Sequence, residues 1–321
     1  TGAKHAITCA SGTDALILAL MALDIQPEDE VITTPFTFIA TAESIAFLKA
    51  KPVFVDIEPN TFNIDVSKIE AAITDKTKAI MPVSLYGQPA DMDEINAIAR
   101  KHNLNVITDG AQSFGATYKG KSEAQYSDFY TTSFFPAKPL GCYGDGGAVF
   151  TNNDDYAEKI KMLRVHGQNK RYHHKYIGIG GRLDTIQAAV LLAKLPHYEK
   201  EVNLRHQVAE MYADQLGSLL EASQSVKSVP YVKEDRTSVY AQYTVRVQDR
   251  DALQSRLKEQ GVPTAVHYPV PMHFQECFAY LGHADGDFPI AELASKEVMS
   301  LPMNAFLAKE SLAAVVNGLV S

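Results

Sequence analysis

The feature that most limits the fold is an alternation running from residue 5 to about residue 165, in which short β-rich runs take turns with helix-length stretches. Such a rhythm predicts parallel strands joined by crossover helices. His5–Cys9, Glu30–Thr34, Pro52–Asp56, Lys78–Leu85, Asn105–Asp109, Tyr130–Phe134 and Ala148–Thr151 read as strands. Several are apolar throughout, as a sheet covered on both faces requires. Asp14–Leu23 and Met92–His102 space their apolar residues about three and four apart and read as helices, with Asp91 placed to cap the second and Pro27 and Gly87 punctuating loops. The expected class is α/β: a three-layer αβα sandwich around a mostly parallel sheet.

After Asp154 the character changes to longer helical stretches, Tyr156–Val165 and Thr185–Leu220, the second with Pro196 as a candidate break. Beyond residue 224, strands at Val239–Val247 and Thr264–His267 flank a helix at Arg250–Gln260, which predicts a compact α+β unit. We therefore expect a large domain over residues 1–220 and a smaller C-terminal one over 221–321. A chain of 321 residues with 46% hydrophobic composition can bury both cores.

Composition excludes several classes of function. No apolar run reaches the roughly 18 residues of a membrane span, and no charged-then-apolar leader opens the chain, so the expected location is the cytoplasm. The chain enters its first strand from Thr1 without a Met or a lead-in helix, and its natural N-terminus is expected upstream. Cys9, Cys142 and Cys277 are too scattered for a disulfide framework or a zinc site and read as free thiols. The net charge of -8 is spread out, and without a basic stripe nucleic acid is not an expected partner.

Three stretches could carry chemistry. In Ala10-Ser11-Gly12-Thr13-Asp14 a strand gives way to a helix, whose free N–H groups and partial positive charge suit an anion such as phosphate. The alternative is that Ser11 or Thr13 only caps the helix. Asp109 ends an apolar strand, where open α/β sheets bind ligands, with Gln112 close behind. A carboxylate there could pair with a protonated pyridine nitrogen, or could simply cap the next turn. Lys138 lies between Pro136-Ala137 and Pro139 in a stiff, glycine-rich segment flanked by apolar residues. Desolvation there would lower its pKa and make it a nucleophile toward carbonyls; the alternative is a solvated loop lysine.

Taken in order, Ser-Gly-Thr (11–13), Asp-Gly-Ala-Gln (109–112), the run from Ser133 through Lys138 to Gly147, and Gly181-Arg182-Leu183-Asp184-Thr185 resemble the DegT/DnrJ/EryC1/StrS family of sugar aminotransferases. These are pyridoxal-phosphate (PLP) enzymes of fold type I, and the resemblance covers essentially the whole chain. It implies a cofactor phosphate held by Gly12, Thr13 and Ser133, a pyridine nitrogen paired with Asp109, and a ring hydroxyl beside Gln112. It also implies Phe38 stacked on the ring and Lys138 as the Schiff-base lysine. The segments Val83–Gln88, Arg164–Gln168, Arg171–His174 and Val266–Pro269 are most similar to members that aminate UDP-linked 3-keto-glucuronates.

The implied reaction converts UDP-2-acetamido-2-deoxy-3-oxo-glucuronate to its amino sugar, with glutamate as donor, on the way to surface polysaccharide or O-antigen. In that reading Tyr86, His267 and Tyr268 line the sugar pocket. Arg182 reaches the sugar carboxylate from the neighbouring subunit of a homodimer with shared active sites. The planar guanidinium fork matches a carboxylate; the alternative for Arg182 is a surface ion pair with Asp184.

The sequence departs from the family pattern in two places. Gly180 stands where an asparagine often helps hold the phosphate, and Thr108-Asp109-Gly110-Ala111 replaces the usual Glu-Asp-Ala-Ala or Glu-Asp-Ala-Cys while keeping the Asp. Family members also begin earlier, with a helical segment that packs in the dimer. Three alternatives share the fold: a 4-keto or 3-keto hexose nucleotide aminotransferase, a dehydratase, against which Lys138 argues because those relatives typically carry histidine there, and a non-catalytic PLP-binding regulatory protein. A nicotinamide dehydrogenase would need a Gly-x-Gly-x-x-Gly after the first strand, which Ser11-Gly12-Thr13 does not supply.

Overall fold

A computed structural model describes residues 1–222 and 225–320. The first half runs β1 (His5–Cys9), α1 (Gly12–Ala22), β2 (Glu30–Thr33), α2 (Ile39–Phe47), β3 (Lys51–Phe54), α3 (Val66–Ile69), β4 (Thr77–Ile80), α4 (Met92–His102), β5 (Asn105–Asp109), β6 (Phe129–Ser133), β7 (Gly147–Thr151) and α5 (Asp154–Leu163). There follow β8 (Gln168–Lys170), β9 (His173–His174), α6 (Thr185–Ala222), β10 (Val226–Ser228), β11 (Tyr243–Val247), α7 (Arg250–Glu259), α8 (Pro289–Glu297), β12 (Val298–Leu301) and α9 (Lys309–Val320).

Seven strands form one sheet in the order β1-β7-β6-β5-β4-β2-β3. β7 is antiparallel to both β1 and β6, and every other pairing is parallel, so six of the seven strands point the same way. Period-two alternation sorts the strand side chains between two cores. Val31, Ala79, Ile107, Phe129 and Val149 pack with Leu16, Leu18 and Leu20 of α1 and Ile160 and Leu163 of α5. Their neighbours Ile32, Ile80 and Val106 face the opposite way, onto Met92, Ile95 and Ala99 of α4. This is the expected three-layer sandwich, and it explains why these strands are apolar on both sides. The smaller antiparallel sheet β10-β11-β12 packs with α7, α9 and the distal part of α6 around Tyr212, Val245, Leu257 and Leu312.

Several elements differ from the sequence expectation for identifiable reasons. The strand expected over Lys78–Leu85 ends at Ile80 as a regular strand, and the chain then follows β5 irregularly. Asp109 N–H donates to Pro82 O (2.9 Å) and Ser84 N–H to Asp109 O (3.1 Å), after which the chain turns at Leu85–Gly87. Tyr86 and Gly87 both take positive φ there (57° and 110°), and a Cβ on Gly87 would lie 2.8 Å from Tyr240 N. That closeness also explains why the strand expected from Val239 begins only at Tyr243. Val239 N–H and Ala241 N–H instead donate to Gly87 O (3.1 Å) and Tyr86 O (2.9 Å) of this turn.

The strand expected at Thr264–His267 contracts to a single bridge between Ala265 and Ser300. Asp91 occupies the N-cap of α4 without bonding its backbone, because its carboxylate pairs with Lys233 and Arg236, each at 2.8 Å. Pro196 does not break α6. The bond lost to an interior proline costs about 3 kcal/mol. It is offset by packing farther along the helix: Tyr198 buries its ring against Phe114 (centroids 5.8 Å apart), and Tyr212 stacks on Tyr243 (4.6 Å).

Candidate active site

Because six strands share one direction, the carboxyl ends of β1, β2, β5 and β6 open on the same edge of the sheet. Ligands bind at such edges. At the end of β1 the Ser11 side chain caps α1 by accepting from Asp14 N–H (3.0 Å). The cap role falls to Ser11, and the N–H groups of Gly12 and Thr13, in the first turn, have no intrahelical carbonyl to bond. Ser133, buried at the end of β6, faces this turn closely: a Cβ on Gly12 would lie 2.7 Å from Ser133 Cβ. The glycine thus lets two donor-bearing segments approach a common point, which suits an anion.

Asp109, buried at the end of β5, accepts from Thr41 Oγ1 (2.7 Å) on one oxygen and from Ala111 N–H (3.1 Å) on the other. Thr41 in turn is 2.9 Å from the hydroxyl of Thr37. Burial raises the Asp109 pKa above the usual carboxylate range, and the charge of Lys138 acts the other way. Among the described residues no cation lies within ion-pair distance of Asp109. A flat ligand carrying an N–H⁺ would supply one.

Lys138 lies in the loop after β6 and is half-buried; loss of hydration lowers its pKa, while Asp109 raises it. The sequence expectation of a desolvated amine therefore holds in direction. His267 is also held below the ordinary histidine range, first by burial and then by the charge of Lys138, and its Nδ1 is 3.0 Å from Ser300 Oγ. Burial and the nearby Asp109 push the Tyr268 hydroxyl up. Gln112 links the remaining pieces: its Oε1 accepts from Tyr86 N–H (2.7 Å) and its Nε2 donates to Tyr268 Oη (3.2 Å). The Tyr86 hydroxyl donates to His267 O. Phe38, at the start of α2, leaves 52% of its surface exposed with its ring 6.0 Å from that of Tyr268.

The edge thus gathers anion donors at Gly12, Thr13 and Ser133, an exposed aromatic face at Phe38, a buried carboxylate at Asp109 and a depressed amine at Lys138. A phosphorylated aromatic aldehyde with a basic ring nitrogen fits this donor set. Tyr86, Gln112, His267 and Tyr268 belong to the same connected region. Arg182 stands apart: it is exposed on the segment after β9 and forms no ion pair with Asp184 or with any other described residue. Sequence reasoning missed Thr41, which lies three residues after Phe38 and so on the same side of α2. It also missed Glu123, whose carboxylate accepts from Ser84 and Ser113 beneath the site. Nothing in the local sequence marks Glu123.

The sequence profile of the DegT/DnrJ/EryC1/StrS aminotransferase family matches residues 1–320. The chain belongs to this family. It is 53% identical over 311 residues to the UDP-2-acetamido-2-deoxy-3-oxo-D-glucuronate aminotransferase of Pseudomonas aeruginosa, covering 97% of this chain and 84% of that protein. It is 51% identical over 314 residues to a pleiotropic regulatory protein of Geobacillus stearothermophilus, covering 98% and 84%. Among solved structures, NtdA from Bacillus subtilis with bound cofactor PMP superposes with a TM-score of 0.91 at 33% identity, covering 99% of this chain and 73% of that one. The sugar-aminotransferase family and the fold anticipated from four short motifs are therefore both found.

Proposed function

We propose that this member of the DegT/DnrJ/EryC1/StrS family is a PLP-dependent transaminase that converts UDP-2-acetamido-2-deoxy-3-oxo-glucuronate to the 3-amino sugar, taking its amino group from glutamate. The observation that carries the reading is the presence at one sheet edge of a desolvated Lys138 amine and a buried Asp109 carboxylate that forms no ion pair among the described residues. When bound, PLP supplies an aldehyde that links to amines and a cationic ring that draws electrons from the adjacent carbon.

The protein's part is positional and electrostatic. Gly12, Thr13 and Ser133 would hold the phosphate, Phe38 would cover the ring and Gln112 would meet the ring hydroxyl. Asp109, ionised against the ring nitrogen, keeps that nitrogen protonated. Lys138 Nζ first anchors the aldehyde. Burial favours the neutral form of its amine, which, once released by the donor, would be placed to take the proton from the donor α-carbon and to return one at C3 of the sugar. Tyr86, His267 and Tyr268 border the space left for the sugar. Arg182, which forms no ion pair among the described residues of its own subunit, binds the uronate carboxylate held by a neighbouring one.

A homodimer with shared sites follows from that assignment, and the exposed Tyr143, Ile177, Ile186 and Leu192 (80, 91, 76 and 72%) supply apolar surface for it. We assign residues 1–220 to a cofactor-binding domain and 221–321 to a small domain. We place the enzyme in the cytoplasm, making precursors for surface polysaccharide. No helix of the described residues is long and apolar enough to cross a membrane.

The test is borohydride trapping. Protein incubated with PLP and reduced should carry the cofactor on the peptide containing Lys138, Lys138→Ala should not, and glutamate added before reduction should abolish the adduct by converting the cofactor to its amine form. Regeneration by a UDP-3-keto-uronate but not by neutral keto-sugars would assign the substrate. The Geobacillus relative gives grounds for a second reading, a regulatory protein that binds PLP without turnover. An adduct that forms on Lys138 yet does not respond to glutamate selects it.

A further inference from the structure

We propose that Glu123 is a positioning residue for the cofactor site, its carboxylate clipping together the two segments that carry Tyr86 and Asp109–Gln112. The inference rests on the PLP reading above.

Glu123 opens the short turn Glu123–Gln125 before β6 and is 1% exposed. One of its carboxylate oxygens accepts from Ser84 Oγ and the other from Ser113 Oγ (2.6 Å). Ser84 lies two residues before Tyr86, and Ser113 immediately follows Gln112. On the cofactor side the same segments are joined by Ser84 N–H to Asp109 O (3.1 Å) and Tyr86 N–H to Gln112 Oε1 (2.7 Å). Glu123 closes this pair of segments from beneath. Tyr130 Oη, 3.3 Å from Ser113 Oγ and 3.4 Å from Gly110 O, packs the clip against β6.

The rival explanation is that Glu123 only satisfies two buried hydroxyls. Burial raises its pKa to about 7, so the ionised acid is held there at a cost that a neutral residue of the same shape would avoid. Arg236 lowers that cost, whereas Tyr130 packs against it with a hydroxyl that its own burial and Glu123 hold protonated. A glutamine could meet a structural need. It has only one acceptor oxygen, however, and its amide nitrogen can only donate, so it cannot accept from both serines. The ionised carboxylate can. Holding both segments by one rigid group fixes the spacing between the Asp109 carboxylate and the Gln112 amide that a bound pyridine ring would meet.

The experiment compares wild type, Glu123→Gln, Ser84→Ala/Ser113→Ala and the triple variant at pH 8. Cofactor-free protein is followed by backbone hydrogen exchange over residues 82–88 and 109–114, and PLP binding is measured separately by titration. The proposal expects Glu123→Gln to speed exchange in both segments about tenfold and to weaken PLP by a similar factor, without lowering the melting temperature. The serine pair should reproduce this, and the triple variant should be no worse than either. Unchanged exchange in Glu123→Gln, or additive losses in the triple variant, would overturn it. PLP failing to bind wild-type protein would sink the cofactor reading, and the exchange rates would still decide the clip.

Discussion

Asp109 and Thr41 meet through a 2.7 Å hydrogen bond that ties the carboxyl end of β5 to α2, 68 positions earlier in the chain. The threonine hydroxyl is a donor aimed at the carboxylate assigned to the pyridine nitrogen, and Thr37 stands behind it in relay at 2.9 Å. It therefore stabilises the ionised form of Asp109 against the burial that opposes it. Phe38 is the N-cap residue of the same helix.

Thr41→Val keeps the shape and removes the donor. A hydrogen bond to a charged group contributes about 1.5–3 kcal/mol, so PLP affinity and kcat should each fall roughly tenfold or more while the fold persists. Titrating PLP into the variant checks this. Wild-type affinity would assign the role to the Ala111 N–H alone.

Glu123 makes stability depend on pH in an unusual direction. Its pKa is raised from 4.5 to about 7 by burial, so the folded protein holds this proton more tightly than the unfolded chain does. The contribution is largest below 4.5 and is lost as pH rises through the interval to about 7, amounting to about 3 kcal/mol. Glu123→Gln has no such proton. Urea midpoints between pH 4 and 8 should show wild type losing ground to the variant as pH rises; parallel curves would contradict the assigned protonation.

Gly12→Ala probes the approach of α1 to β6. The added methyl would stand 2.7 Å from Ser133 Cβ, a contact that must be relieved by backbone movement. Overpacking of this kind costs about 1–3 kcal/mol. Pyridoxal phosphate should lose more affinity than unphosphorylated pyridoxal, since the phosphate is the group assigned to this junction. Equal losses would place the phosphate elsewhere.

Arg182 separates substrate recognition from chemistry. Arg182→Ala should raise KM for a UDP-3-keto-uronate by roughly ten- to a hundredfold through loss of a bidentate carboxylate contact. The glutamate half-reaction, followed as loss of the Lys138-linked cofactor, should be unchanged. An equal fall in both half-reactions would place Arg182 at the cofactor instead.

Local sequence determined much of this protein. β1, β5 and α4 begin and end where periodicity and turn residues place them, because each is stabilised by its own apolar pattern against a covered sheet. The order of four short motifs singled out Asp109 and Ser133, which end β5 and β6, and Gln112 and Lys138 in the loops that follow, because those element boundaries are visible in the residues themselves. Tertiary structure decided the rest. Whether Asp91 caps α4 or pairs with Lys233 and Arg236 depends on a loop about 142 residues away. Where β11 begins depends on Tyr86 and Gly87 claiming the backbone of Val239 and Ala241. Thr41 and Glu123 are ordinary residues locally and acquire their roles only because the sheet order brings distant hydroxyls and carboxylates within hydrogen-bond reach. Hydrophobic periodicity reports which face of an element is buried, but not which polar group it will meet there.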